Sequence, residues 1–166
     1  TVSEEKTDHY TRRKIRFTAE QDDSVPAWLL IPNDIPAGKK VPAMLCLHQT
    51  TKIGKDEPAG LGGLPNLHYA HELARRGYVC IVPDYPSFGE YPYDFKTEGA
   101  HRPSGSMKAI WNNLCAVDVL VSLSLVDAAK IGVIGHSLGG HNALFTAVFD
   151  DRLKAVVTSC GFTPFH

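Results

Sequence analysis

Apolar positions along the chain fall into short runs, and the period of those runs changes from one stretch to the next. Residues 10–19 alternate, Ile15 and Phe17 against Lys14, Arg16 and Thr18, as an edge or half-exposed strand does. Gln21-Asp22-Asp23-Ser24 reads as a turn and 25–32 as a second strand, so the two predict an antiparallel hairpin. Residues 41–47 are almost continuously apolar, the pattern of a strand buried on both faces. Residues 66–76 place Leu67, Ala70, Leu73 and Ala74 at helical spacing, with Gly77 as the stop signal, and 78–82 form the next buried strand. Ser106 is the expected N-cap of a helix that turns Ile110, Leu114, Val117 and Val121 inward. After the lead-in 127–130 come a buried strand at 131–134, a helical pattern from Leu138 through Ala143, Leu144 and Ala147 to Val148, and a last strand at 153–160. Residues 1–9 are polar and predict a loosely held lead-in.

Strands alternating with helices after a hairpin predict one α/β domain over 1–166, a mostly parallel sheet with helices on both faces. Ligands of such sheets bind at the carboxyl ends of the strands. The loops at 48–65, 83–105, 135–139 and 161–166 all leave from those ends and share one rim. The Gly/Pro-rich stretch 54–65 reads as an ordered loop over a site, and 85–103 is long enough to be functional or mobile.

The candidate chemistry sits where the strand at 131–134 breaks into Gly135-His136-Ser137-Leu138-Gly139 and then into a helix. This is a G-x-S-x-G motif in the strand–turn–helix setting of a nucleophile elbow. A serine lifted clear of a sheet needs a sharp, strained turn, and glycines two before and two after leave room for backbone to pass. The helix start beyond it presents free N–H groups and a positive dipole end to a developing oxyanion. Neither a G-x-G-x-x-G nor a Gly-Lys-Ser/Thr accompanies the turn, which argues against nucleotide binding.

Composition narrows the partners. Net charge is −1 with no basic stripe, so neither nucleic acid nor an anionic membrane is implied, and no apolar run reaches membrane-spanning length. Thr1 does not open a signal peptide; the missing initiator Met suggests trimming, which leaves the compartment open. Cys46, Cys80, Cys115 and Cys160 lack CxxC spacing and read as small buried hydrophobes. The histidine pairs His68/His71 and His136/His141 have no further ligand beside them, so neither metal nor cofactor is expected.

On the motif 135–140, on His48-Gln49-Thr50 after the third strand, and on Asp84-Tyr85-Pro86-Ser87-Phe88-Gly89-Glu90 after the fourth, the chain resembles the α/β-hydrolase superfamily. Within it the chain looks most like the dienelactone hydrolase and acetyl-xylan-esterase-like branch, some of whose relatives are prolyl-oligopeptidase-type peptidases. The resemblance implies Ser137 as nucleophile, the N–H of Leu138 as one oxyanion donor, and an N–H of Gln49 or Thr50 as the other. It gives His48 the role of holding its loop. It also implies a triad acid and histidine later than any residue here, so the fold is expected to lack its C-terminal strands and to be the N-terminal part of a longer enzyme.

Local histidines are poor substitutes. His136 is expected to pack in the core, His141 lies one helical turn past the serine, and His68 and His71 read as surface residues; His101, in the rim loop, is the least unfavourable. The strand at 153–160 should present an apolar edge that either a missing C-terminal segment or a second copy covers. The expected activity is hydrolysis of a small carboxylic ester through an acyl-enzyme on Ser137. The alternatives are a prolyl-oligopeptidase-like peptidase, against which Leu138 and the short N-terminus argue, and a non-catalytic fragment or binding module. Tyr85, Phe88, Tyr91, Tyr93 and Phe95 are expected either to wall a substrate pocket or to shield the core.

Overall fold

A computed structural model describes residues 1–96 and 104–162. Seven strands form one sheet: β1 (Ser3–Lys6), β2 (Tyr10–Glu20), β3 (Asp23–Pro32), β4 (Val41–Leu47), β5 (Val79–Pro83), β6 (Val126–His136) and β7 (Leu153–Ser159). Among the described residues three α-helices connect them: α1 (Tyr69–Arg75), α2 (Gly105–Ser122) and α3 (Leu138–Phe149). The order across the sheet is β1-β2-β3-β5-β4-β6-β7. The first three strands and the β3–β5 pair are antiparallel, and β5, β4, β6 and β7 run parallel.

This is the expected α/β-hydrolase architecture, with an N-terminal hairpin and helices on both faces. The faces follow from handedness. From β4 the chain moves to one side to make β5, then crosses back over β4 to β6 and on to β7. Right-handed crossovers therefore put α1 on one face and α2 and α3 on the other. Leu29, Leu45, Ile81 and Val133 meet Val117, Leu120 and Ala143 on the α2/α3 face. Trp28, Met44, Cys46, Cys80 and Val82 meet Ala70 and Ala74 of α1 on the opposite face.

Several local expectations need correction. Residues 3–6 are not loose: they form an outer strand on β2, held by Glu5–Arg12 and Glu4–Arg13 ion pairs. The N-cap of α2 is Ser104, whose Oγ accepts from the Met107 N–H at 3.2 Å, two residues before the Ser106 expected. Val121 is exposed, because the buried side of α2 is set by Ala109, Ala116, Val117 and Leu120. Cys160 is exposed, just past the end of β7. Tyr91 and Tyr93 are buried in the core, leaving Tyr85, Phe88 and Phe95 nearer the rim.

Candidate active site

The connections set where a site forms. β4 leads off to the β5 side of the sheet and its neighbour β6 leads off to the β7 side, so a crevice opens between their carboxyl ends. Residues 48–50 leave one wall of that crevice and 136–139 the other.

At the β6–α3 junction Ser137 has φ 51° and ψ −115°, a conformation that side-chain-bearing residues rarely adopt. Its N–H donates to Ser159 O on β7 at 2.7 Å, and its carbonyl accepts from His141 N–H at 2.9 Å. The bend is therefore clamped on both sides while the seryl hydroxyl makes no hydrogen bond among the described residues. Two glycines make it sterically allowed. A Cβ on Gly135 would lie 2.2 Å from Gly139 O, and one on Gly139 would lie 1.9 Å from Leu47 O. Leu138 and Gly139 open α3, where N–H groups have no acceptor within the helix.

The contact of Gly139 with Leu47 O and with His48 O, the latter 2.8 Å from a Cβ at that position, brings the end of β4 against the start of α3. Tyr69 holds the same Leu47 carbonyl from the α1 side, its hydroxyl donating at 2.5 Å. Gln49, half-buried, and Thr50, exposed, follow directly. The Gln49 side-chain amide donates to the buried Glu57 carboxylate, whose other oxygen accepts from Leu64 N–H at 2.8 Å. The turn that carries Ser137 and Leu138 is thus brought against the end of β4, from which Gln49 and Thr50 follow.

His48 is almost fully buried and spends both ring nitrogens on backbone. Nε2 accepts from Tyr85 N–H at 2.9 Å, which leaves the proton on Nδ1 to be donated to Gln49 O at 2.6 Å. Burial lowers the affinity of this ring for a proton, against the opposing pull of the Gln49 carbonyl and the Asp84 carboxylate. A neutral ring joins the loop after β4 to the loop after β5.

A second tie between those loops gave no signal in the sequence. Lys55 is fully buried, its Nζ 3.0 Å from Asp84 Oδ2, 3.2 Å from Glu90 Oε2 and 3.5 Å from Asp56 Oδ1. Asp84 Oδ1 also accepts from Lys55 N–H at 2.8 Å, and Oδ2 from Glu90 N–H at 3.0 Å. A lysine in a Gly/Pro-rich loop reads as solvated; the carboxylates of Asp84 and Glu90, brought to it by the fold after β5, join Asp56 in making its burial tolerable.

The other histidines lie elsewhere. The His136 ring is not packed in the core but sits at the rim, its Nδ1 3.0 Å from Ser159 Oγ. His141 stacks on Phe145, ring centres 4.5 Å apart. His68 donates to Gly62 O, and His71, half-buried rather than on the surface, meets the Tyr10 hydroxyl at 2.7 Å. His101 lies outside the described residues.

Residues 66–165 match the model of the prolyl oligopeptidase family, peptidase family S9. The quorum-quenching protein AidA of Acinetobacter baumannii is 33% identical over 108 residues, which cover 63% of this chain and 34% of AidA. A candidate acetyl xylan esterase from Bacteroides fragilis superposes with a TM-score of 0.77 at 22% identity, over 91% of this chain and 45% of that one. The glucuronoyl esterase from Solibacter usitatus gives 0.64 at 18% identity, over 91% and 48%. At such identities the structures establish the fold alone. The chain spans half or less of the length of the curated relatives it matches. A sheet of this order and a family match that runs from the start of α1 past the end of β7 lead to one assignment: this chain belongs to the prolyl oligopeptidase family, within the α/β hydrolases.

Proposed function

We propose that the chain carries the nucleophile and the oxyanion-binding half of a serine hydrolase acting on carboxylic esters. Ser137 Oγ attacks the ester carbonyl carbon, forming a C–O bond as the carbonyl electron pair moves onto oxygen. The Leu138 N–H and an N–H of Gln49 or Thr50 hold that oxyanion, each such donor being worth roughly 10²–10³ in rate. Collapse expels the alcohol, which leaves with the proton taken from Ser137, and water then releases the acid from the acyl-enzyme. The base and its acid partner belong to the part of the curated relatives' length that this chain does not span. Without them a serine keeps oxyanion stabilisation and binding but loses most of its rate.

The observation that carries this reading is the backbone of Ser137, held at positive φ between two glycines that no larger residue can replace. Esterase chemistry accords with two solved structures that share the fold, a candidate acetyl xylan esterase and a glucuronoyl esterase. The family match favours a second reading, peptide-bond hydrolysis by the same groups. Turnover of a short-chain aryl ester and of a blocked proline-containing peptide, each repeated with Ser137→Ala, separates them. Ester turnover abolished by the substitution supports the first reading. Peptide turnover in its place supports the second, and neither activity in the intact protein supports a non-catalytic binding module.

A further inference from the structure

Behind the first turn of α3 lies a small cavity walled by Leu47, Pro86, Ala109, Gly139, Asn112 and Asn142. It leaves about 10 Å³ for the centre of a water-sized sphere, room for one water. Two of its walls carry an unmet requirement: Asn112 Oδ1 and Asn142 Oδ1 are buried and accept no hydrogen bond from the described residues.

Rotating either amide does not cure this. Asn142 Nδ2 donates at 3.0 Å to the carbonyl of Leu138, which accepts only. Asn112 Nδ2 donates at 3.3 Å to the Tyr91 hydroxyl, whose own proton is committed to the Asp23 carboxylate at 2.7 Å. Both nitrogens are therefore fixed as nitrogens and both oxygens as acceptors. Two acceptors cannot satisfy one another; they need a small molecule with two hydrogens to give.

We propose that one buried water occupies this cavity and donates one hydrogen to each Oδ1. The water completes a chain of hydrogen bonds from the half-buried Asp23 at the start of β3 through Tyr91, Asn112, water and Asn142 to the carbonyl of Leu138. Lys108, fully buried, anchors the far end by pairing with Asp23 and with Glu20 at 2.8 Å. The hairpin is thereby tied through the core to the turn that follows Ser137, whatever chemistry that serine performs.

Crystals of the intact protein at a resolution that shows ordered solvent test this directly. The expected result is a fully occupied water within about 3 Å of both oxygens. In solution, oxygen-17 relaxation dispersion should count one long-lived water fewer in Asn112→Leu/Asn142→Leu than in the parent. A cavity closed by the two amides bonding each other, density absent between them, or an unchanged water count in a folded double variant overturns the proposal. If the double variant does not fold, the parent crystal decides alone.

Discussion

At Ser137 three constraints meet: a positive φ, an N–H bound to β7, and carbonyl backbone where neighbouring Cβ atoms would be. Gly139→Ala should destabilise the protein by roughly 3 kcal/mol, since its Cβ would overlap the Leu47 carbonyl and neither backbone can yield freely; urea unfolding checks this, and a loss below about 1 kcal/mol contradicts it. His48 supplies a pH dependence. Its imidazole is held below the ordinary value of 6.5 by burial, so the unfolded chain binds the proton first as pH falls. Stability should therefore fall as pH drops below about 6.5 and level off below the folded-state value. Unfolding midpoints of the parent and of His48→Gln across that range test it, and an equal slope in both would count against the ring. At this scale the sequence was most legible where chemistry demands a local pattern. G-x-S-x-G announced the bend because the steric need is local. His136 and His71 were misplaced because their surroundings, Ser159 and Tyr10, are distant in sequence.

The two rim loops, after β4 and after β5, act as one unit through His48 and through Lys55 with Asp84. Removing Lys55 would leave Asp84 buried and uncompensated, so Lys55→Met should cost about 3 kcal/mol or more. Lys14→Met, which removes a solvent-accessible partner of Glu90, should cost under about 1 kcal/mol. Comparable losses in chemical denaturation would show that the pair is not the tie. The strands were readable as elements because β5, most of β4 and the stretch of β6 from Ile131 are largely buried apolar runs. Boundaries were less so. β6 begins at Val126, five residues before its apolar run: Val126 pairs with Val41 of β4 and is buried in the core, but the exposed residues 128–130 separate it from Ile131. β1 was invisible because its residues are polar and are held by charge and ladder bonds to β2.

Across the whole molecule, alternating strands and helices with right-handed crossovers dictate one crevice, between β4 and β6, and the candidate groups assemble there from loops some ninety residues apart in the chain. The sequence disclosed this arrangement because handedness leaves few alternatives; it could not disclose how the loops are fastened. Val156 and Val157 of β7 are 41% and 47% exposed, and Val148 and Phe149 of α3 are exposed as well. An apolar strand at a sheet edge pairs with whatever strand is available. A polypeptide of these 166 residues should self-associate with rising concentration in sedimentation velocity, and Val157→Lys should restore the monomer; monomers in both cases contradict a reactive edge. The central claim concerns the hydroxyl at the β6–α3 bend, and it is tested most directly by treating the intact protein with a fluorophosphonate and mapping the adduct by peptide mass spectrometry. One modified residue is expected, Ser137, with labelling lost in Ser137→Ala while the fold is kept. Labelling at another residue, or undiminished labelling of the variant, would contradict it.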